Sequence, residues 1–337
     1  MESSTPVWCF LKRTKVRIAE TLDKLGVERI EAGMPASSEK DFEATKEIVK
    51  RVKAKVVAFC RDMKTDVDLA LEAGAWGVVV ELPSNERLIK KGYLWEQKDV
   101  IEKAVATCNY AKSNGLHTTF FLIDSSGSEP EWLRPIVQET VSRADIDSIV
   151  AVDTFGRLNP AGTKLFVQRM KERVDIPVEI HDHNDFGLAV ANSLAAVEAG
   201  AEVVHTTMLR IGERSGGAAT EEIAVGLKFL YGLDPGLNLE RLVETAKIIQ
   251  EISGIPLPGH KPVVGENSFS YEAGGVSLDM GSAREVREEG ARLLQIKCCQ
   301  SLLVQEMVQG DRELLYRTRI IKIETYLIGQ KGKSKIF

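Results

Sequence analysis

Apolar positions along this chain switch repeatedly between two spacings. Ile18, Leu22 and Leu25 recur every three to four residues, the spacing of one helical face, and Gly26 follows as a stop. The apolar stretch 27–34 then reads as a strand. Ser38 with Asp41 has the form of a capping box opening a second helix, whose stripe is Phe42, Val49 and Val52, and 56–60 reads as the next strand. The alternation continues with a helix ending at Gly74 and a strand at 77–82. Next come a helix with Ile101, Val105, Cys108 and Ala111 on one face, and a strand at 117–123. Leu133, Val137 and Val141 mark a helix with Pro135 expected in its first turn, followed by a strand at 148–152. Asn159 before Pro160 is an N-cap with proline at the first helical position; strand 177–181, helix 187–199 and strand 203–209 complete the series.

An internal echo supports this reading. Leu71-Glu72-Ala73-Gly74-Ala75 and Val197-Glu198-Ala199-Gly200-Ala201 each precede a β-branched run, and each glycine suits the left-handed backbone past a helix end. Units of strand plus helix, each about 40 residues or less, predict an α/β fold of the (β/α)8 TIM-barrel class. A doubly wound open sheet competes, but no glycine-rich phosphate fingerprint follows the first strand. Seven strands are recognisable, whereas a parallel barrel must close to avoid open edges. The first strand is therefore expected to be missing or replaced: either 7–11 supplies it, or the chain is truncated at its start. Beyond residue 235 the pattern changes. The expected division is a barrel domain over 1–235 and a helical extension and tail over 236–337, with a helix at 239–252, a connector at 254–265, a charged amphipathic helix at 283–308 and a basic tail from Gln330.

Composition narrows the function classes. The chain has 337 residues, 44 Lys+Arg against 49 Asp+Glu and a net charge of −5, so no general nucleic-acid partner is expected. No apolar run is long enough to span a bilayer, and the first ten residues lack the layout of a secretory signal; a cytoplasmic protein with no membrane partner is expected. Five cysteines without CxxC spacing argue for free or buried thiols.

The sharpest chemistry lies in Glu179-Ile180-His181-Asp182-His183-Asn184-Asp185. On a strand, His181 and His183 share a face, at the carboxyl end where barrels place their active sites. Two imidazoles at this spacing suit one divalent metal completed by oxygen ligands, and Asp182 and Asp185 are expected to orient them. Glu31 reads either as a catalytic carboxylate or replacement ligand, or as an ion pair in the barrel mouth. Asp153 and Thr154 read as substrate contacts or as a capped strand end, and Thr206 and Thr207 as carboxylate binders or ordinary β-formers. Glu213 and Arg214 read as a structural ion pair; the direction of His205 is open, and His117 and His260 read as structural or solvated.

The run from His181 to Asn192 (HDHNDFGLAVAN) resembles the metal-binding signature of the 2-isopropylmalate synthase and homocitrate synthase family. Ile211-Gly212-Glu213-Arg214-Ser215-Gly216 resembles its second signature. Weaker matches lie at Ile30-Glu31-Ala32-Gly33-Met34-Pro35, Asp153-Thr154-Phe155-Gly156 and 261–267, so the resemblance covers about 14–275. It is similar, less closely, to 3-hydroxy-3-methylglutaryl-CoA lyase. The resemblance implies a TIM-barrel acyltransferase that condenses acetyl-CoA with a 2-oxo acid. A divalent Mg, Mn or Zn would be held by His181 and His183, Glu31 would supply a carboxylate, Tyr271 would stand at the acid/base position, and the assembly would be a homodimer. Substrate contacts would come from Asp153, Thr154, Thr207 and Arg13. Four features depart from the family pattern. Nothing before Thr14 matches the opening strand with its Asp/Glu ligand and arginine, which leaves Arg13 or Lys12 to supply positive charge. Gly217 stands where many relatives have asparagine, and Tyr271 and Val276 stand where they have histidines. The resemblance ends near Gly275. A carbon–carbon lyase and a degenerate, non-catalytic relative are the rival expectations.

Overall fold

In the computed structural model, which describes residues 12–268 and the backbone of 322–326, the alternating segments form a ring of strands inside a ring of helices. The order is α1 (Lys12–Leu25), β1 (Arg29–Glu31), α2 (Glu39–Arg51), β2 (Lys55–Cys60), α3 (Lys64–Ala73), β3 (Gly77–Pro83), α4 (Gln97–Ser113) and β4 (His117–Ile123). It continues with α5 (Pro130–Arg143), β5 (Ser148–Asp153), α6 (Pro160–Lys171), β6 (Val178–Asp182), α7 (Ala189–Glu198), β7 (Val203–Thr206), α8 (Thr220–Leu230) and α9 (Leu242–Ser253). A last strand, β8 (Lys322–Tyr326), pairs in parallel with both β7 and β1 and closes the barrel.

The local signals explain the boundaries. Ser38 Oγ accepts from the Asp41 amide at 3.2 Å, and Asn159 Oδ1 accepts from the Gly162 amide at 2.8 Å, so both expected N-caps form. Gly74 (φ +80°) and Gly200 (φ +95°) take up the left-handed backbone that the echoed motif requires. Pro135 does not sit in a first turn: α5 starts at Pro130, and Pro135 lies inside the helix, where it removes one backbone donor. Residues 239–252 divide into a short 3-10 turn (Leu239–Arg241) and α9, which packs on α1.

The closing stave differs from the expectation at 7–11, a segment that lies outside the described residues. The slot between β1 and β7 is filled by Lys322–Tyr326, taken from the segment expected to be an appendage. The helix expected at 283–308 and the basic tail are also outside the described residues.

Strand alternation sorts the side chains into two cores. The larger lies between strands and helices, with Ile30, Val78, Val80, Leu82, Phe120, Ile149 and Ile180 fully buried. The smaller fills the barrel interior with Val57, Val79, Phe121, Val150 and Val152. Each such side chain contributes roughly 1.5–3 kcal/mol by leaving water. No helix among the described residues is long and apolar enough to cross a membrane. Cys60 and Cys108 are free and buried, and burial raises the Cys108 thiol to about 12.

Candidate metal and acyl-transfer site

The site is built on β6 and β7. Alternation turns Ile180 and Asp182 toward the helices and Glu179 and His181 inward. His205 of β7 points inward beside them. Its Nε2 lies 2.7 Å from Glu179 Oε2, and its Nδ1 lies 3.3 Å from His181 Nδ1. Glu179 Oε1 accepts from Arg29 Nη1 at 3.1 Å, so β1, β6 and β7 share one buried polar group. His181 Nε2 then lies 3.1 Å from His183 Nε2. Burial, aided by the neighbouring imidazoles, holds His181 well below its ordinary value; burial also lowers His183. Both rings are thereby favoured in the neutral form that ligates metals.

The loops beyond the strands fix His183. Its amide donates to Asp153 O at 3.2 Å, and the Asn184 amide donates to Gly216 O at 2.8 Å. His183 also forms a bridge with Gly217. Gly216 has φ +82°, and an added Cβ would lie 1.6 Å from Arg210 O, so only glycine fits there. Arg214 grips Asp185 with a two-pronged contact, Nε–Oδ1 2.8 Å and Nη2–Oδ2 3.0 Å, joining the two signatures. Phe121 packs edge-on against His181, ring centres 5.2 Å apart.

The expected residues fare unequally. His181 and His183 converge. Glu31 is buried on the inner face of β1, beyond Arg29. Thr207 follows β7, and its buried Oγ1 has no hydrogen-bond partner among the described residues. Thr154 Oγ1 accepts from the Asp124 amide at 2.8 Å, at the mouth. Alternation places Asp153 on the helix side. Its carboxylate accepts from Ser126 Oγ, the Arg157 amide and the Leu158 amide, so it caps the β5–α6 loop, the second of the two expected readings. Arg13 is corrected: it is exposed in the first turn of α1, lining a crevice between α1 and α2 with Lys12, Arg17 and Arg51. Asp182 and Asp185 do not orient the imidazoles; Asp182 accepts from Ser193 Oγ at 2.8 Å, and Asp185 holds Arg214. The principal partner of Arg214 is therefore Asp185, with Glu213 more distant at 3.4 Å. Tyr271 lies outside the described residues.

Several site residues escaped the sequence reading. His205 contacts His181, and Glu179 contacts His205 in turn; the signal for Glu179 was present, since it lies two residues before His181 on the same strand face. Glu81, on the inner face of β3 with Val79, has no hydrogen-bond partner among the described residues. Burial, with Glu213 nearby, raises it to about 7. Asp124 ends β4 in a left-handed conformation (φ +58°) and pairs with Arg157. Burial raises its pKa, opposed by that arginine.

The donor set fits a divalent cation in part. Two nitrogens 3.1 Å apart, each about 2.1 Å from one ion, subtend about 95°, the edge of an octahedron. Among the described residues no third His, Cys, Asp or Glu groups with them to hold a metal.

A family model described as HMGL-like matches residues 6–249. The chain belongs to the HMGL-like family. It is 42% identical over 271 residues to a homocitrate synthase of Methanopyrus kandleri, covering 80% of this chain and 68% of that protein. It is 37% identical over 261 residues to a probable 2-isopropylmalate synthase of Archaeoglobus fulgidus, covering 77% of this chain and 52% of that one. The chain thus spans about half to two thirds of these HMGL-like relatives. The resemblance carried by the two signatures is borne out. Among solved structures, the HMG-CoA lyase of Bacillus subtilis superposes with a TM-score of 0.66 at 23% identity, over 75% of this chain and 90% of that one, a likeness of fold.

Proposed function

We propose that this chain is a metal-dependent acyltransferase that condenses acetyl-CoA with a 2-oxo acid. The observation that carries the reading is the convergence of His181 Nε2 and His183 Nε2 at the carboxyl end of the barrel. These two imidazoles would hold a divalent cation (Mg, Mn or Zn). When bound, the cation polarises the keto carbonyl of the 2-oxo acid toward attack.

The remaining steps belong to the chain's own groups. Thr207 Oγ1, buried and unpartnered among the described residues, donates to the carboxylate of the 2-oxo acid. Glu81 takes a proton from the thioester methyl; a carboxyl with a pKa of about 7 is matched to that task near neutral pH. The enolate carbon attacks the keto carbon, and water then cleaves the thioester, releasing the CoA thiol. Phe121 covers one side of His181 and restricts water there.

The test is thiol release that requires acetyl-CoA, a 2-oxo acid and Mn2+ together. His181→Ala is expected to lose bound metal and to lower kcat about a thousandfold, the equivalent of several kcal/mol of charge stabilisation. Cleavage of a 3-hydroxyacyl-CoA without this thiol release would favour the lyase reading. A wild-type protein that binds no metal would favour the non-catalytic reading.

A further inference from the structure

Between β7 and α8 the chain makes an excursion to the His183 segment and back. The excursion is pinched at its base, where the Thr207 amide donates to Ala218 O at 2.8 Å and the Thr220 amide donates to Thr207 O at 3.1 Å. Its far end carries contacts that fix His183: Gly216 O accepts from the Asn184 amide at 2.8 Å, and Gly217 forms a bridge with His183. On the way the backbone is forced. Leu209 (φ +58°), Arg210 (φ +62°) and Arg214 (φ +53°) all occupy the left-handed region, which is costly for residues with a side chain. Such a conformation persists only where its surroundings hold it. At Leu209 the hold comes from a buried ion pair. The Leu209 amide donates to Glu221 Oε2 at 3.1 Å, and Lys261 Nζ lies 2.8 Å from Glu221 Oε1. Lys261 also pairs with Glu222. The Lys261 and Glu221 side chains are 4% and 0% exposed, so water screens their attraction little. The lysine is itself anchored in the connector after α9. Its amide donates to Pro258 O at 2.9 Å, and its carbonyl accepts from the Gly265 amide at 2.8 Å and from Ser268 Oγ at 2.7 Å. A Cβ on Gly265 would lie 2.5 Å from Lys261 O, so the turn closes only with glycine there.

We propose that Lys261 and Glu221 are positioning residues that, through the Leu209 amide, hold the strained β7–α8 loop against the His183 segment and so set where the His183 ring stands. The pair acts on the site only through the loop. A salt bridge that merely stapled the connector to α8 would gain little from burying its charges, and it would not need one carboxylate oxygen turned to the Leu209 amide. The contacts run in series: Lys261 holds Glu221, Glu221 holds Leu209, and the loop that Leu209 opens holds His183 and Asn184. Arg214, on the same loop, adds its grip on Asp185, so a loop released at Leu209 loosens both ends of the His183–Asp185 segment. The proposal rests on the cation reading for its purpose, but not for its first test.

The first measurement is amide hydrogen exchange in the full, metal-free chain. Glu221→Leu removes the acceptor of the Leu209 amide while Lys261 keeps Glu222, so no buried charge is left alone and the fold is expected to survive. The expected result is roughly tenfold faster exchange at Leu209 and at Asn184, with the amides of β3 to β5 unchanged. Glu221→Gln keeps a carbonyl acceptor for Leu209 and should exchange as the wild type does. Unchanged exchange at Asn184 in a folded Glu221→Leu overturns the proposal. Lys261→Met, combined with Glu222→Gln to limit unpaired charge, should accelerate the same two amides; no acceleration overturns the role of Lys261. The second measurement is Mn2+ affinity of the same chains. Glu221→Leu should weaken Mn2+ binding about 10-fold, and Glu221→Gln should restore most of that loss. Equal Mn2+ affinity in a folded Glu221→Leu and a Mn2+-binding wild type overturns the proposal, because a merely structural pair would lower stability and leave the cation site as it was. A wild type that binds no Mn2+, with exchange at Asn184 accelerated in Glu221→Leu, sinks the proposed function and leaves the positioning pair standing.

Discussion

Staves β2 to β5 and staves β6, β7 and β1 line the same cylinder with opposite chemistry. The first group fills the interior with Val57, Val79, Phe121, Val150 and Val152. The second fills it with Arg29, Glu179, His181 and His205, all but His181 nearly or fully buried. An apolar interior is held by area removed from water and needs no partner-by-partner matching. A buried ionic interior gains little net stability, because desolvation offsets the attraction between its members. The second half is therefore poorly explained by folding alone, and it is the half that meets the His181–His183 pair. The contrast marks the β6–β7–β1 side as the chemical wall of the barrel and the β2–β5 side as its mainly apolar wall, whose polar members include Glu81 at the rim and the hydrogen-bonded Thr119–Ser148 hydroxyl pair.

The strongest way to break this contrast is Glu179→Gln. It removes a carboxylate from beside a buried guanidinium and should cost about 3–5 kcal/mol in denaturant unfolding. Changing Arg29 and Glu179 together to methionine should recover that stability, or exceed the wild type by up to about 4 kcal/mol. A double variant that remains strongly destabilised would show that the polar wall supports the fold. On the apolar wall, Val150→Ala should cost about 2 kcal/mol and leave Mn2+ affinity unchanged, as read by unfolding and metal titration.

Glu81 offers a smaller, pH-dependent effect. Its folded pKa, raised by burial to about 7, exceeds that of the unfolded chain, so the fold binds this proton more tightly. The stability it contributes is fully present below about pH 4.3 and is lost as pH rises through about 7. Glu81→Gln should therefore make the decline of Tm between about pH 5 and 7 shallower, by a few degrees in a thermal melt series. The smallest effect is expected of Arg13→Ala, which touches only the outer α1–α2 crevice: within about 0.5 kcal/mol in stability and no change in thiol release.

Much of the architecture was legible because periodicity reports burial directly. β4 coincides with its expected bounds, and the caps at Ser38 and Asn159 form as their residue types dictate. The histidine pair was legible for the same reason: spacing of two on a strand means one face. Between the two readings of Asp153, the capped strand end is the one its three local donors fit, which required counting alternation from the buried strand centre. His205 could not be placed, because β7 is apolar and polar on both sides and its phase is set only by the ladders with β6 and β8. Arg13 attracted attention for its charge, yet the helix that carries it turns it outward.

The chain's own text determined the alternation of helices and strands, the carboxyl-end location of the two imidazoles and the glycines that let their loops turn, because these depend on neighbours within a few residues. The tertiary structure alone decided that Lys322–Tyr326 lies between β7 and β1, and that Arg29, Glu179 and His205 meet behind His181. Parallel strands are joined through long connections, so pairing partners leave no trace in local spacing. Which buried charge answers which is settled only when a closed barrel brings distant staves to hydrogen-bonding distance.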